Sequence, residues 1–173
     1  HASTKAIFIA FGVTDPLNFS QQTLDILFDI NDEHFNITLM LGAGFSHSLN
    51  TASLKTGSSI QVVKNLEPIE IIKHISASDC VIVPASTILL EVFCVGAPVI
   101  SGWYADNQKY SVKYFETKDM IFNCGNLNRN FSHKLKRAIK FIDEMPVNFH
   151  ATNQKSIDLS GKKLLEIIDE QAL

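Results

Sequence analysis

The chain has 173 residues, of which 46% are hydrophobic and 19% are charged, and its formal net charge is -3 at neutral pH. This composition excludes a disordered tail and is sufficient for one domain with a full core. No Arg-rich arm or zinc-finger spacing is present, so the sequence does not predict nucleic-acid binding.

Cysteine content and the length of the apolar runs bear on location. Cys80, Cys94 and Cys124 are an odd number of cysteines in apolar surroundings, which predicts a reducing compartment and therefore a cytoplasmic protein. The uncharged run over 80–90 is too short to cross a bilayer, so we expect no membrane span. The chain begins at His1, without Met, and enters a strand-like run by residue 5, which suggests a piece of a larger protein.

Charge is unevenly distributed along the chain. Residues 107–140 carry eight Lys or Arg against Glu116 and Asp119, which leaves seven basic and 16 acidic residues elsewhere. A basic segment of this kind is typical of a helix face exposed to solvent. The other interpretation is that the segment faces a bound anion.

Short apolar runs alternate with helical patterns. Each run is rich in β-branched residues and closed by a turn or polar residue, which predicts a buried strand. Strands are expected at 5–11, 36–42, 60–65, 80–84, 97–104 and 120–124. Helices are expected at 20–30, 47–55, 68–76, 88–95 and 131–145, from 106 onward, and at about 157–168. The alternation predicts one α/β domain over 1–173, a Rossmann-like, doubly wound parallel sheet of about six strands covered on both faces.

The order of strands in such a sheet decides which loops meet. In the common 3-2-1-4-5-6 order, the first and fourth strands are neighbours where the order reverses, and ligands bind outside their carboxyl ends. The loops after these strands are GVTDP, with Gly12, Thr14 and Asp15, and PASTI, with Ser86 and Thr87. We therefore expect the two loops to form one binding edge.

Ser86 and Thr87 follow a strand and open a helix. Backbone N–H groups without helical partners and the positive end of the helix dipole favour a phosphate there, with the hydroxyls as additional donors. Simple capping is an equally good interpretation, since Ser and Thr are favoured caps in any protein.

Glu91 is a single carboxylate in one of the most apolar stretches of the chain. Thr87 lies four residues before it, which is out of register for a capping box. A buried carboxylate without a partner is costly, and one turn from a phosphate-binding end it is placed to accept hydrogen bonds from ribose hydroxyls. The alternative is a partly exposed glutamate at the helix edge. The polar residues Asp106, Asn107 and Gln108 follow the fifth strand, where as a cluster they are placed to bind a sugar; Asp106 alone is more typical of a helix N-cap.

Two stretches resemble a known family. SDCVIVPASTILLEVFCVGAPVI followed by ADNQ, and FGVTDPLN near the start, are similar to the C-terminal domain of GT-B nucleotide-sugar enzymes. The likeness is to PseG-type UDP-sugar hydrolases of pseudaminic acid biosynthesis and, more distantly, to MurG-like glycosyltransferases (glycosyltransferase family 28). It spans roughly residues 5–125, and the matching positions are Gly12, Asp15, Pro16, Asn18, Asp79, Glu91, Gly96, Pro98 and the run from Asp106 to Gln108.

The resemblance implies that a UDP-sugar is bound, in polysaccharide or nonulosonic acid biosynthesis. We expect no metal or other cofactor. It places Thr87 and its neighbours at the diphosphate and Glu91 at the ribose. It also places the loop from Leu66 to Ile69 at the uracil, and Asn107 and Gln108 near the sugar.

The resemblance further implies that the catalytic base belongs to a separate N-terminal domain, for which this chain has no room. The histidines at 34, 47, 74, 133 and 150 lack metal-ligand spacing and are predicted to lie on the surface. We therefore expect this domain to bind a UDP-sugar without cleaving it, so that the parent protein is the enzyme.

Other classes are separated by their motifs. A dinucleotide-binding oxidoreductase needs G-x-G-x-x-G after the first strand, and GVTDPL does not supply it. A receiver domain needs several acidic residues there, and only Asp15 is present. A non-catalytic domain with decayed or altered nucleotide binding stays open, because Ser86 replaces the family's Gly and Pro84 and Ala85 replace small polar residues.

Overall fold

The computed structural model describes residues 4–30, 34–52 and 56–144, and its six strands form one parallel sheet. The strands are β1 (Thr4–Ala10), β2 (His34–Leu41), β3 (Ser59–Lys64), β4 (Cys80–Pro84), β5 (Val99–Trp103) and β6 (Phe122–Asn126). Their order is β3-β2-β1-β4-β5-β6, and every neighbouring pair is parallel. The predicted fold class and the predicted strand order are both confirmed.

Helices cover both faces of the sheet. The helices are α1 (Phe19–Phe28), α2 (Pro68–Ser76), α3 (Thr87–Val95), α4 (Asp106–Glu116) and α5 (Phe131–Glu144). Helices α1 and α5 pack on one face, and α2, α3 and α4 pack on the other. Because both faces are covered, the central strands have no solvent-facing side, which is why they are almost continuously apolar.

Strand β4 shows this two-sided burial most clearly. All five of its residues are buried. Cys80 and Ile82 join the core beneath α1 and α5, while Val81 and Val83 join the core beneath α2, α3 and α4. Burial of each large aliphatic side chain contributes about 1.5–3 kcal/mol, so this strand is anchored by both layers at once.

Asp79 holds the two central strands together at their amino ends. Its carboxylate accepts a hydrogen bond from the backbone N–H of Ala6 at 2.7 Å, and its own N–H donates to the Ala6 carbonyl at 2.8 Å. These bonds start the pairing of β1 with β4, which continues through Ile7 and Cys80. The pairing of β1 with β4, where the strand order reverses, is therefore fixed by the Asp79 side chain as well as by backbone hydrogen bonds between the strands.

The predicted helix at 47–55 is wrong over residues 47–52, which form no helix. Gln21 on α1 holds this segment, since its side chain accepts from the N–H of Asn50 at 2.7 Å and donates to the Asn50 carbonyl at 3.0 Å. Backbone groups bound to a distant side chain are not available for a helical ladder. The segment is therefore an irregular connection between β2 and β3.

Strand β6 begins two residues later than predicted, at Phe122. Met120 and Ile121 are buried in the core beneath α2, α3 and α4, although they precede the strand. These two residues are apolar because they pack in the core, although they do not pair in the sheet. The apolar run therefore predicted a start of β6 that is two residues too early. The helix expected at 157–168 lies outside the described residues.

Candidate functional site

The predicted site residues lie at the carboxyl edge of the sheet, because every strand of a parallel sheet ends on the same side. The loop between β1 and α1 carries Gly12, Thr14 and Asp15, and it lies beside the loop between β4 and α3 because β1 pairs with β4. The remaining predicted residues follow β3, β4 or β5 or lie on α3, at the same edge: Leu66, Ile69, Ser86, Thr87, Glu91, Asp106, Asn107 and Gln108.

Asp15 is buried and caps helix α1. One carboxylate oxygen accepts the N–H of Phe19 and the other accepts the N–H of Ser20, each at 2.8 Å. Asn18 adds a third acceptor, for the N–H of Gln21 at 3.3 Å. The Asp15 carboxylate therefore shapes the loop from inside, while Gly12 and Thr14 are exposed.

The loop after β2 packs closely on the loop after β1. Gly42 lies against the backbone of Val13, with no space for a side chain, and the N–H of Gly44 donates to the Val13 carbonyl at 3.0 Å. His47 Nε2 lies 3.0 Å from the carbonyl oxygen of Asp15. The segment GAGFSH at 42–47 thus forms one wall of the candidate site.

His47 is the residue at this edge that sequence reasoning missed. It was predicted to lie on the surface, but it is half-buried, as are His34 and His74. His133 is exposed, as predicted, and residue 150 lies outside the described residues. The available signal was the strand order, which places the loop after the second strand beside the loop after the first.

Helix α3 begins without a side-chain cap. Ser86 occupies the N-cap position with extended backbone, yet its hydroxyl makes no capping hydrogen bond, and Thr87 is the exposed first residue of the helix. Helix α1 is capped by Asp15 and Asn18. At α2, the Glu70 carboxylate accepts the backbone N–H that precedes the helix at 2.8 Å. The first N–H groups of α3 therefore lack the side-chain acceptors that α1 has, and α3 also lacks the capping box of α2.

Helix α4 also lacks a side-chain cap, but it differs from α3 in charge. Its N-cap is Ala105, and Asp106 lies in its first turn. A carboxylate there already complements the positive end of the helix dipole and repels a second anion. The first turn of α3 carries no acidic residue. Between the amino ends of α3 and α4, that of α3 is the one suited to a phosphate.

Glu91 lies in the second turn of α3 and is half-buried. Its flanking residues differ in exposure: Leu90 is 45% exposed, whereas Val92 is buried. Within the described residues, its carboxylate has no hydrogen bond or ion pair. Glu91 therefore lies at the helix edge, as the structural interpretation expects, and its carboxylate has no partner within the described residues, as the ribose-binding interpretation expects.

The cluster after β5 divides into structural and exposed residues. Gln108 is buried, and its side-chain oxygen accepts the N–H of Tyr104 at 3.1 Å. The ring of Tyr104 packs against that of Phe19, with ring centroids 5.5 Å apart, which ties this loop to the start of α1. Asp106 and Asn107 are exposed. Asn107 is thus an uncharged side chain free to meet a ligand at this end of α4.

An apolar surface follows strand β3. Leu66 is half-buried and Ile69, in the first turn of α2, is 58% exposed. Because α2 packs against α3, this surface and the uncapped end of α3 belong to the same side of the sheet. Such a surface fits the flat, largely apolar face of a nucleobase.

Other features of the described chain lie away from this edge or lack reactive groups. A shallow cavity of about 230 Å³ is lined by Ser76, Ser78 and residues 95–98, at the opposite edge of the sheet. Burial raises the pKa of Cys80, and it raises the pKa of Cys124 to about 12, so neither thiol forms a thiolate near neutral pH. In the described ranges, no group of three metal-ligating residues comes together, and no helix is long and apolar enough to cross a bilayer.

The sequence matches no protein-family profile and no curated protein. Solved structures do match. The glycosyltransferase of kitacinnamycin shares 15% identity with a TM-score of 0.71, and the match covers 98% of this chain and 43% of that one. A structure on EarP-mediated arginine glycosylation of translation elongation factor EF-P shares 10% identity with a TM-score of 0.61, covering 98% and 61%.

A third match is a protein from Listeria monocytogenes described as a UDP-N-acetylglucosamine 2-epimerase. It shares 14% identity with a TM-score of 0.51, covering 87% of this chain and 40% of that one. At these identities the likeness shows a shared fold, the Rossmann-like α/β fold found in glycosyltransferases and in this protein. The chain spans between 40% and 61% of the length of these structures.

Proposed function

We propose that this chain is the nucleotide-sugar-binding domain of a GT-B enzyme, equivalent to its C-terminal half, and that it binds a UDP-sugar at the carboxyl edge. The observation that carries the proposal is the amino end of α3. It lies where the strand order reverses, has no side-chain cap and has no acidic residue in its first turn. A diphosphate there accepts the backbone N–H groups and meets the positive end of the helix dipole.

The rest of the nucleotide fits the surfaces on either side. The ribose hydroxyls reach Glu91, whose carboxylate has no partner in the described residues and accepts hydrogen bonds. The uracil packs on Leu66 and Ile69, and the sugar extends toward Thr14 and Asn107, which are exposed. Asp15 and Gln108 support these loops from inside through hydrogen bonds to the backbone.

The parent enzyme is proposed to be a UDP-sugar hydrolase or glycosyltransferase of polysaccharide or nonulosonic acid biosynthesis. Its catalytic base lies in an N-terminal domain, and catalysis occurs between the two domains. The chain covers only 40–61% of the matched glycosylation and epimerase structures, which supports a partner domain of this kind. The chain alone is expected to bind a UDP-sugar without releasing UDP, and we assign the enzyme to the cytoplasm.

A non-catalytic domain with decayed or altered binding is the second candidate. Two predicted ligand residues, Asp15 and Gln108, have their side-chain oxygens occupied by backbone N–H groups. Ser86 has a side chain where a Gly would let a phosphate approach the backbone more closely. These features favour weaker binding than the family resemblance implies.

Calorimetric titration with UDP, combined with substitutions at one position, separates the two candidates. Ser86→Asp should cap α3 and preserve stability, yet abolish UDP binding, because its carboxylate takes the N–H groups and repels the diphosphate. Ser86→Gly should keep or raise the affinity. The matched control is Ala105→Asp, which makes the same kind of change at α4 and should leave UDP binding unchanged.

Absence of UDP binding by the folded wild-type chain would favour the decayed domain. Equal UDP affinity of the wild type and Ser86→Asp would place the ligand elsewhere and contradict the proposed site.

A further inference from the structure

The outer face of α4 exposes tyrosine and lysine side by side. Tyr110 is 80% exposed and Tyr114 is 59% exposed, and they lie one helical turn apart. Lys109 and Lys113, which precede them directly, are also exposed and lie four residues apart. Two parallel stripes result, one aromatic and one cationic.

Of the two tyrosines, Tyr114 is connected to the core through ring contacts. The ring of Tyr114 contacts that of Phe115, which contacts the buried Phe93, with ring centroids 5.5 and 4.7 Å apart. Lys118 lies over the Tyr114 ring, 5.8 Å from its centroid. A partner that stacks on Tyr114 therefore meets a ring whose orientation is already restricted, which lowers the entropy lost on binding.

The charge of this region favours an acidic partner. Residues 107–140 carry eight basic and two acidic side chains, whereas the rest of the chain has more acidic than basic residues. Within the described residues, Lys109, Lys113 and Lys118 have no ion pair. Lys109 lies over the ring of Trp103, 5.5 Å from its centroid, as Lys118 lies over that of Tyr114. These ring contacts leave the charges unpaired by an acidic side chain, so carboxylates of a ligand can pair with them.

The residue types on this face distinguish between partners. Helix α4 exposes no aliphatic side chain, whereas helices that lie in a membrane surface bury Leu, Phe or Trp. Its cations are all lysines, a residue depleted in protein interfaces, where Arg is enriched. Exposed tyrosines with hydroxyls are suited to the faces of sugar rings, which present C–H groups to an aromatic ring and hydroxyls around its rim.

We propose that this face of α4, defined by Lys109, Tyr110, Lys113 and Tyr114, binds an acidic oligosaccharide. The two tyrosines are separated by about 6 Å along the helix axis, comparable with one sugar unit, so adjacent rings of the chain stack on adjacent tyrosines. The lysine stripe pairs with the carboxylates of the sugars.

The position of α4 gives this surface a role in catalysis by the parent enzyme. That role rests on the proposed function. The helix begins at Asp106 and Asn107, at the edge where the sugar of the nucleotide-sugar is proposed to lie. An acidic glycan bound along α4 would have one end at that site, as an acceptor or a product does.

Binding is tested by titrating the chain with a hexamer of galacturonic acid, with neutral maltohexaose as the uncharged comparison. The galacturonate hexamer should bind and maltohexaose should bind much more weakly. The double variant Tyr110→Ala and Tyr114→Ala should lose roughly tenfold in affinity for the acidic hexamer, because two stacked rings are removed. Lys109→Gln with Lys113→Gln should weaken binding and reduce its salt dependence.

The control variant is Lys64→Gln with Lys73→Gln, which removes two exposed lysines from β3 and α2 and should leave hexamer binding unchanged. UDP affinity should be the same in every variant, so failure of UDP binding and failure of glycan binding are distinct results. Equal loss in the control and the α4 variants, or absence of hexamer binding, would overturn the proposal. Tyrosine-dependent binding of phosphatidylglycerol vesicles or an oligothymidylate, without hexamer binding, would also overturn it.

Discussion

His47 Nε2 lies 3.0 Å from the carbonyl oxygen of Asp15, although 32 residues separate the two in sequence. A carbonyl oxygen only accepts hydrogen bonds, so Nε2 carries the proton and donates it. In the neutral ring, Nδ1 is then the unprotonated nitrogen. The ring of His47 also packs against that of Phe45, with ring centroids 5.4 Å apart. This contact joins the loops that follow β1 and β2 at the candidate site.

Replacement of His47 by Ala should loosen the loop between β1 and α1. Loss of the hydrogen bond to Asp15 should lower the free energy of unfolding by about 1 kcal/mol. Hydrogen exchange of the amides at 12–15 should become faster, and UDP affinity should fall modestly. His47→Gln retains a side-chain donor and serves as the comparison. Unchanged exchange at 12–15 in His47→Ala would show that the contact does not hold the loop.

Two glycines at the same edge should respond differently to Ala. A methyl group at Gly42 would overlap the backbone of Val13, so Gly42→Ala should cost about 1–3 kcal/mol and displace the loop. Gly12 has open space around it but a positive φ of 85°, so Gly12→Ala should cost about 1 kcal/mol through backbone strain alone. Urea denaturation measures both. A Gly42→Ala variant as stable as wild type would contradict the close packing of the two loops.

Asp15 should matter for stability more than for ligand contact. Asp15→Ala removes both acceptors for the first N–H groups of α1 and should lower the free energy of unfolding by about 2 kcal/mol. Asp15→Asn keeps one acceptor and tolerates the positive φ of 42°. Its free energy of unfolding should therefore lie between those of Asp15→Ala and the wild type. Glu116→Ala, at an exposed position on α4 whose carboxylate has no hydrogen bond or ion pair within the described residues, is the control and should change stability little.

Glu91 should contribute to nucleotide binding without stabilising the empty protein. A charged hydrogen bond to a ribose contributes about 1.5–3 kcal/mol, so Glu91→Ala should weaken UDP binding roughly ten- to a hundred-fold. Glu91→Gln should fall between this variant and the wild type. Melting temperatures should be unchanged or slightly higher, because the carboxylate has no partner in the described residues.

Glu116→Ala, at an exposed position on α4, is the matched control and should bind UDP normally. If Glu91→Ala unfolds the protein and the wild type does not bind UDP, the carboxylate is structural.

The two buried thiols should make the fold sensitive to alkali. Burial holds Cys80 and Cys124 neutral, with the pKa of Cys124 raised from 9.0 to about 12. The folded state therefore keeps protons that the unfolded state loses above pH 9, and stability falls as pH rises. The loss should be about 1.4 kcal/mol for each thiol at pH 10, measured by urea denaturation at pH 7 and pH 10. Replacing both by Ala should remove this part of the pH dependence, while Cys94→Ala should not.

Much of the fold could be predicted from the sequence because its signals are local. The strand at 80–84 and the helix at 68–76 have the predicted bounds, since an uninterrupted apolar run and a proline-initiated helix depend on neighbouring residues. The segment at 47–52 could not be predicted, because a side chain on α1 holds Asn50 from 29 positions away. The start of β6 was misplaced because burial without strand pairing looks the same in sequence as a strand.

The sequence by itself determined which polar residues reach the carboxyl edge, because parallel strands with covered faces all end there. Only the tertiary structure decided how those residues are used. Asp15 and Gln108 turn inward to backbone N–H groups, Ser86 leaves its helix uncapped, and His47 joins two loops. The reason is that a polar side chain pairs with whichever group lies within about 3 Å of it. In a folded chain that group is set by packing, and the residue type alone does not reveal it.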